Sequence, residues 1–168
     1  HWLNLPDYVL WRLTGAVATD PTLASRTMLF DQRAGDWSDR MLGIAGIDRG
    51  WLPHILPGGS PVGRITPAAA RLTGLPEGLP CAVAGHDHLV GAFATGLTDR
   101  GSVIDSCGTA QASLLLMPHF ATSPEMARQA YACYAFVQPG FVLKGGNKSA
   151  GQAIEWVGRV LSGGEAPD

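Results

Sequence analysis

The feature that most constrains this chain is a change of texture near Gly96 to Asp99. Before it, short apolar runs alternate with segments of helical spacing. After it, apolar runs follow one another across tight turns. Alternation of strand and helix marks an α/β arrangement, whereas a series of hairpins opens a different unit. The expected organisation is an α/β chain with one unit over residues 1–97 and the start of a second over 98–168.

The bulk properties narrow the class. Of the 168 residues, 46% are hydrophobic and only 15% charged, which is enough to form a core and too apolar for a disordered chain. A net charge of −2 gives no electrostatic case for nucleic acid, and no Lys/Arg cluster reads as a membrane-surface patch. Cys81, Cys107 and Cys133 are widely spaced, without the C-x-x-C spacing of a zinc or redox site. A reducing, cytoplasmic setting is expected. No apolar run approaches the roughly 18 residues of a membrane span. The chain opens at His1-Trp2-Leu3 and closes on "LSGGEAPD", so an internal fragment of a longer protein is the expectation.

Local signals place the elements. In "NLPDYVLWRLTG" Asn4 can cap a helix, Pro6 and Asp7 suit its first turn, and Gly15 can end it. Leu5, Val9 and Leu13 are expected on its inner face. Ser38 is placed to cap "DRMLGIAG". Thr66-Pro67 opens a helix that Gly74 ends. The stretch from Gly46 to Ile65 reads as a Pro/Gly-punctuated connection ending in a strand at Val62–Ile65. "CAVAG" reads as a short buried strand running into His86-Asp87-His88, and "HLVGAFATG" as a helix. "GSVIDSCGTAQASLLLMP" and "YACYAFVQPGFVLKGG" each read as two strands around a turn. "KSAGQAIEWVGRVL" reads as a helix with Ala153, Ile154, Val157 and Leu161 on its apolar face.

Three stretches could carry chemistry. In "AGHDHLVGAFATG" Asp87 stands at a strand-to-helix junction, where ligands often bind in α/β folds. It can cap the helix, since a carboxylate complements the helix dipole. It can equally serve as a base, because the same position favours an ionised carboxylate that accepts a proton. His86 and His88 form an H-x-H pair that could share a metal ion, but His1, His54 and His119 stand alone. In "DSCGTAQA" the small residues can present backbone N–H groups and a hydroxyl to phosphate oxygens, or simply make a tight hairpin. Cys107 as a nucleophile lacks a neighbouring base. In "KGGNKSAGQAIEW" Gly145-Gly146 permits close backbone approach before a helix N-terminus that attracts anions, or is only a strand-to-helix turn. The Walker pattern is not matched.

Taken in order, these motifs carry a resemblance. "PDYVLWRLTGAVATDPTLASRTMLFDQRAGDW", "AGHDHLVGAFATG", "GSVIDSCGTAQA" and "KGGNKSAGQAIEW" resemble successive segments of the FGGY carbohydrate kinases, of the xylulokinase and glycerol kinase type. The resemblance covers nearly the whole chain. It implies a ribonuclease H-like, actin-like ATPase fold, with the end of the first domain and the start of the second in this chain. It implies that Asp87 takes the proton from a sugar or polyol hydroxyl as that oxygen attacks the γ-phosphate of ATP. His88, standing where many members carry Gln, would contact substrate. Gly108 and Thr109 match the turn that contacts ATP phosphates, and Gly145 and Gly146 lie near the nucleotide side. ATP and Mg²⁺ are the implied cofactors, with no metal-ligating residue assigned in the chain. The partner is a small sugar or polyol, without nucleic acid or membrane. A homodimer is compatible with this reading and oligomeric state stays open.

The family's N-terminal D-x-G-T phosphate hairpin and its later Gly-rich adenosine motif have no match, so the chain by itself is expected not to turn over ATP. Two other readings remain at this stage. One is a non-catalytic binding member of the same fold. The other is an H-x-H metal-dependent hydrolase.

Overall fold

A computed structural model describes residues 1–162. The chain divides into two compact units, one of His1–Ala94 with Ala135–Pro139, the other of Thr95–Tyr134 with the chain from Gly140 onward.

The first unit opens with α1 (Leu5–Thr14), preceded by Asn4 in extended geometry and ended by Gly15 at φ +78°. The Gly15 N–H returns to the Trp11 carbonyl at 2.7 Å. Next come β1 (Ala18–Thr19), α2 (Pro21–Ala24), and the small hairpin of β2 (Phe30–Asp31) and β3 (Asp36–Trp37). Ser38 caps α3 (Asp39–Ala45), and Gly46 ends it at φ +67°. β4 (His54–Ile55) pairs parallel with β1. β5 (Pro61–Arg64) and β6 (Pro80–Ala82) pair antiparallel around α4 (Pro67–Thr73), which Thr66 caps and Gly74 ends. α5 (Asp87–Ala94) closes the run.

Two apolar clusters hold this unit. Ala24, Leu29, Trp37, Leu42 and Leu52 form one, with Phe30, Ile47 and Ile55 against it. Trp37 is buried without a polar penalty because its indole N–H donates to the Pro53 carbonyl at 2.9 Å. Leu10, Leu23 and Val83 form the other, with Val62 and Cys81 against it.

This second cluster corrects the expected face of α1. Leu5 and Val9 are 75% and 49% exposed, and the inward residues are Leu10 and Asp7. A buried acid breaks the apolar pattern and turns the helix. Asp7 accepts from the Asn4 backbone N–H at 3.3 Å and from its side-chain amide at 3.2 Å. Burial pushes the Asp7 carboxyl above its ordinary pKa, against these hydrogen bonds.

The second unit is built on an antiparallel sheet in the order β7-β8-β10-β9, with β7 at Val103–Cys107, β8 at Gln111–Met117, β9 at Ala132–Ala135 and β10 at Phe141–Asn147. β8 pairs with β7 from Val103↔Leu115 to Cys107↔Gln111, and with β10 from Phe141↔Met117 to Asn147↔Gln111. α6 (Pro124–Arg128) lies between β8 and β9 in sequence. Leu114 and Val142 are fully buried, each contributing about 1.5–3 kcal/mol relative to an exposed side chain. α7 (Ala150–Leu161) has the expected amphipathic spacing, yet none of its residues is buried, and Ile154 and Leu161 are 74% and 81% exposed. No helix among the described residues is long and apolar enough to cross a membrane.

Candidate active site

The strand-to-helix junction of the first unit is assembled from two stretches far apart in sequence. "ATDPT" ends β1 and turns into α2, with Asp20 as the cap. Its carboxylate accepts from the Thr22 N–H at 3.0 Å, the Leu23 N–H at 3.1 Å and the Thr22 hydroxyl at 2.8 Å. Thr22 and Asp20 are 0% and 1% exposed, so all of this takes place away from water. Sixty-four positions later, the His86 backbone N–H donates to the Thr22 hydroxyl oxygen at 2.7 Å.

Gly85 permits that approach. Its φ of +131° is one that side-chain-bearing residues rarely adopt, and a Cβ there would lie 2.9 Å from Thr22 Oγ1 and 3.3 Å from Asp20 Oδ2.

Asp87 is the next residue but one. Its side chain is 96% exposed, beside His86 at 25%. Asp87 Oδ1 accepts from the His88 N–H at 2.7 Å and lies 3.2 Å from His86 Nδ1. The first-turn amides of Leu89 and Val90 go to the His86 carbonyl, each at 3.0 Å. Two first-turn amides thus go to backbone and one to the Asp87 carboxylate, which is otherwise open to solvent. His88 is half-buried beside it. Leu89 and Ala92 anchor α5, while Phe93 is 42% exposed and meets Phe136 edge-on at 6.4 Å.

In the second unit, Gly108 and Thr109 stand exposed in the three-residue turn between β7 and β8. The turn closes through Gly108 N–H to the Ala110 carbonyl at 2.9 Å. The first turn of α7 meets it, with Gly151 N–H donating to the Gly108 carbonyl at 3.0 Å. A Cβ on Gly151 would lie 2.6 Å from that carbonyl.

Gly145 and Gly146 reach the same end of the sheet but stand within β10, opposite Ser113 and Ala112, not in the turn before the helix. Close packing explains both. A Cβ on Gly145 would lie 2.5 Å from the Tyr131 ring, and one on Gly146 would run into the Gln111 carbonyl.

Asp105, on β7, accepts from Cys107 Sγ at 3.0 Å, Ser113 Oγ at 2.7 Å and Gln111 Nε2 at 2.7 Å. The Cys107, Ser113 and Gln111 donors, in that order, hold the Asp105 carboxyl below the usual range. The same bond pushes the Cys107 thiol up, so the residue is a poor nucleophile.

The structure therefore sorts the expected residues into two places. Asp87 and His88 lie in the first unit, and Gly108, Thr109, Gly145 and Gly146 lie in the second. Among the described residues, no group of three or more His, Cys, Asp or Glu could hold a metal ion, so His86 and His88 have no further ligand to complete an H-x-H site.

Comparison with known proteins decides the family. Residues 1–94 match the model of the FGGY family of carbohydrate kinases, N-terminal domain. The chain belongs to the FGGY family of carbohydrate kinases. Among its relatives, the L-fuculokinase of Salmonella typhi is 32% identical over 99% of this chain and 35% of its own length. The xylulose kinase of Klebsiella pneumoniae is 29% identical over 96% of the chain and 33% of its own length. The chain thus spans about a third of the length of the curated relatives it matches. The crystal structure of a xylulose kinase from Rhodospirillum rubrum superposes with a TM-score of 0.83 over 93% of this chain and 31% of that one, at 27% identity. The fold is accordingly the actin-like α/β fold of FGGY kinases, and membership in a kinase family removes the metal-hydrolase reading.

Sequence reasoning singled out Asp87 but missed Asp20, Thr22, Asp105 and Gly151. For Asp20 and Thr22 a signal existed. Asp-Pro-Thr offers a cap, a proline at the first helical position and a hydroxyl two residues on.

Proposed function

We propose that the protein transfers the γ-phosphoryl group of ATP to a hydroxyl of a small sugar or polyol, with Asp87 as general base. One observation carries this reading. The Asp87 carboxylate is exposed at the start of α5, while the backbone immediately before it is tied into a buried network. A base must meet its substrate and yet be held still. The relatives' names direct the choice of acceptor to L-fuculose, xylulose or glycerol.

In the reaction, the acceptor oxygen forms its bond to the γ-phosphorus as its proton passes to an Asp87 oxygen. The bond from phosphorus to the β,γ-bridging oxygen breaks, and its electrons leave with ADP. Phosphoryl transfer has a loose transition state, so positioning and charge compensation do most of the work. His88, half-buried next to Asp87, would orient a second acceptor hydroxyl.

In the second unit, the Thr109 N–H and hydroxyl of the exposed Gly108-Thr109 turn would meet phosphate oxygens, the Gly108 N–H being used to close the turn. Gly145 and Gly146 support that role from the flank by allowing β8 and Tyr131 to pack closely. The first 97 residues then belong to the substrate side, and residues from 98 on to the phosphate side. Mg²⁺ entering with ATP would offset phosphate charge. A cytoplasmic setting, where ATP is available, follows from this reading.

The test is ADP release by the intact protein with Mg-ATP and L-fuculose, xylulose or glycerol, beside Asp87→Asn. Release stimulated by one acceptor, falling by about 10²-fold or more in the variant, is expected for loss of a general base. Stimulated release that survives the substitution would falsify the assignment of the base.

A further inference from the structure

We propose that Thr22, braced by Asp20, is a positioning residue that sets the direction of the Asp87 carboxylate through the His86 peptide. The inference rests on the reading of Asp87 as the base. It starts from hydrogen-bond inventory. A threonine hydroxyl has one proton and two lone pairs. Thr22 gives its proton to the Asp20 carboxylate, at 2.8 Å from Oδ2 and 3.0 Å from Oδ1. Asp20 cannot turn away, because the Thr22 and Leu23 amides hold its two oxygens. The lone pairs of Thr22 are thereby left for a donor, and the donor that arrives is the His86 N–H at 2.7 Å.

A second observation points the same way. The residue before His86 is Gly85, whose missing side chain leaves the space the Thr22 hydroxyl occupies. Across the same gap, a Cβ on Gly58 would come within 3.0 Å of the Ala84 carbonyl. The loop between β6 and α5 is therefore pressed against a buried polar anchor.

The consequence for Asp87 is geometric. The His86 carbonyl accepts the Leu89 and Val90 amides and so starts the helix. Its N–H is held by Thr22 on the other side. One residue thus links the buried anchor, through its N–H, to the start of α5, through its carbonyl, and Asp87 is the first residue of that helix. Removing the Thr22 hydroxyl frees the His86 N–H and lets the start of α5 shift. Displacements of about 1 Å at a reacting group cost on the order of 10²-fold in rate.

The test uses the intact protein with Thr22→Val, Thr22→Ser and Asp87→Asn. It takes kcat and KM for whichever of L-fuculose, xylulose and glycerol gives stimulated ADP release. Alongside, amide hydrogen exchange of residues 80–94 is followed without substrate. Thr22→Val is expected to lower kcat by about 10- to 100-fold with the sugar KM changed by less than about 3-fold. Exchange at His86 should accelerate in the same variant. Thr22→Ser, which keeps the hydroxyl, should restore both. Near-normal kcat in Thr22→Val, in a protein that Asp87→Asn inactivates, overturns the positioning role and leaves the base assignment standing. Equal losses in the Val and Ser variants reduce Thr22 to a packing residue and also overturn it. An active Asp87→Asn protein removes the base itself. If none of the three acceptors stimulates release, the exchange experiment decides: unchanged His86 protection in Thr22→Val overturns the anchor, and lost protection restored by Ser supports it.

Discussion

Gly85→Ala is the substitution that most directly probes the junction before Asp87. Two costs add. A non-glycine residue at φ +131° is strained, by about 1–2 kcal/mol. The new Cβ would also sit 2.9 Å from Thr22 Oγ1, closer than real Cβ contacts come, so either the loop or Thr22 must move. Thr22 cannot move freely, because it is fully buried and bonded to Asp20. The loop is therefore expected to lift and the His86 N–H to lose its acceptor, at about 1–3 kcal/mol for a buried donor left unpaired. Together the local destabilisation is about 2–5 kcal/mol. Gly35→Ala serves as the comparison, since Gly35 also has positive φ, at +68°, but a Cβ there meets nothing within 4 Å. Hydrogen exchange on peptides spanning residues 80–94 of the intact protein reads the effect, and about 2 kcal/mol corresponds to roughly 30-fold faster exchange through local opening. Acceleration of that size in Gly85→Ala, with no change over residues 80–94 in Gly35→Ala, is expected. If Gly85→Ala leaves exchange at His86 as slow as in the parent, the close packing argued for Thr22 is wrong.

The other predictions concern stability and reactivity. Burial, opposed by hydrogen bonds, raises the Asp7 carboxyl in the folded state, so folding favours its protonated form. That contribution is fully present below the ordinary carboxylate pKa and is lost as pH rises through the folded-state value. Asp7→Asn should gain Tm relative to the parent as pH rises from 4 to 8, and a Tm difference constant with pH would count against the buried charge. Asp105→Asn removes the partner that keeps the Cys107 thiol protonated. Alkylation of Cys107 at pH 8 should then be faster, and an unchanged rate would show that the hydrogen bond does not govern the thiol. Within α3, Gly43 has open space for a Cβ, so Gly43→Ala should stabilise by about 0.5–1 kcal/mol. Gly146→Ala, driven into the Gln111 backbone, should instead destabilise by about 1–3 kcal/mol. Thermal melts of the pair check both, and equal shifts would contradict the difference in packing.

Much of the local structure was readable because its signals are short-range. Ser38, Thr66, Gly15, Gly46 and Gly74 mark helix ends through the conformations and side-chain acceptors they supply. Strand β4 was not readable. A strand of two residues cannot show a period, and only pairing with β1 makes His54–Ile55 a strand. The inner face of α1 was misread for a related reason. Leu5, Val9 and Leu13 share a helical face, but the buried position of Asp7 depends on what lies across from it.

The candidate site divides in the same way. That Asp87 stands at a strand-to-helix junction, and Gly108-Thr109 in a hairpin turn, is written in the chain, because both follow from neighbours a few residues away. The family was also legible there, since it is carried by the order of motifs. Only the tertiary structure could show that Thr22 receives the His86 amide, that Gly85 is empty because a hydroxyl fills its space, and that Gly146 yields to the Gln111 carbonyl. Each of these is a close contact between segments distant in sequence. Local sequence sets which conformations a segment prefers, but a contact across 64 positions exists only once the chain has folded.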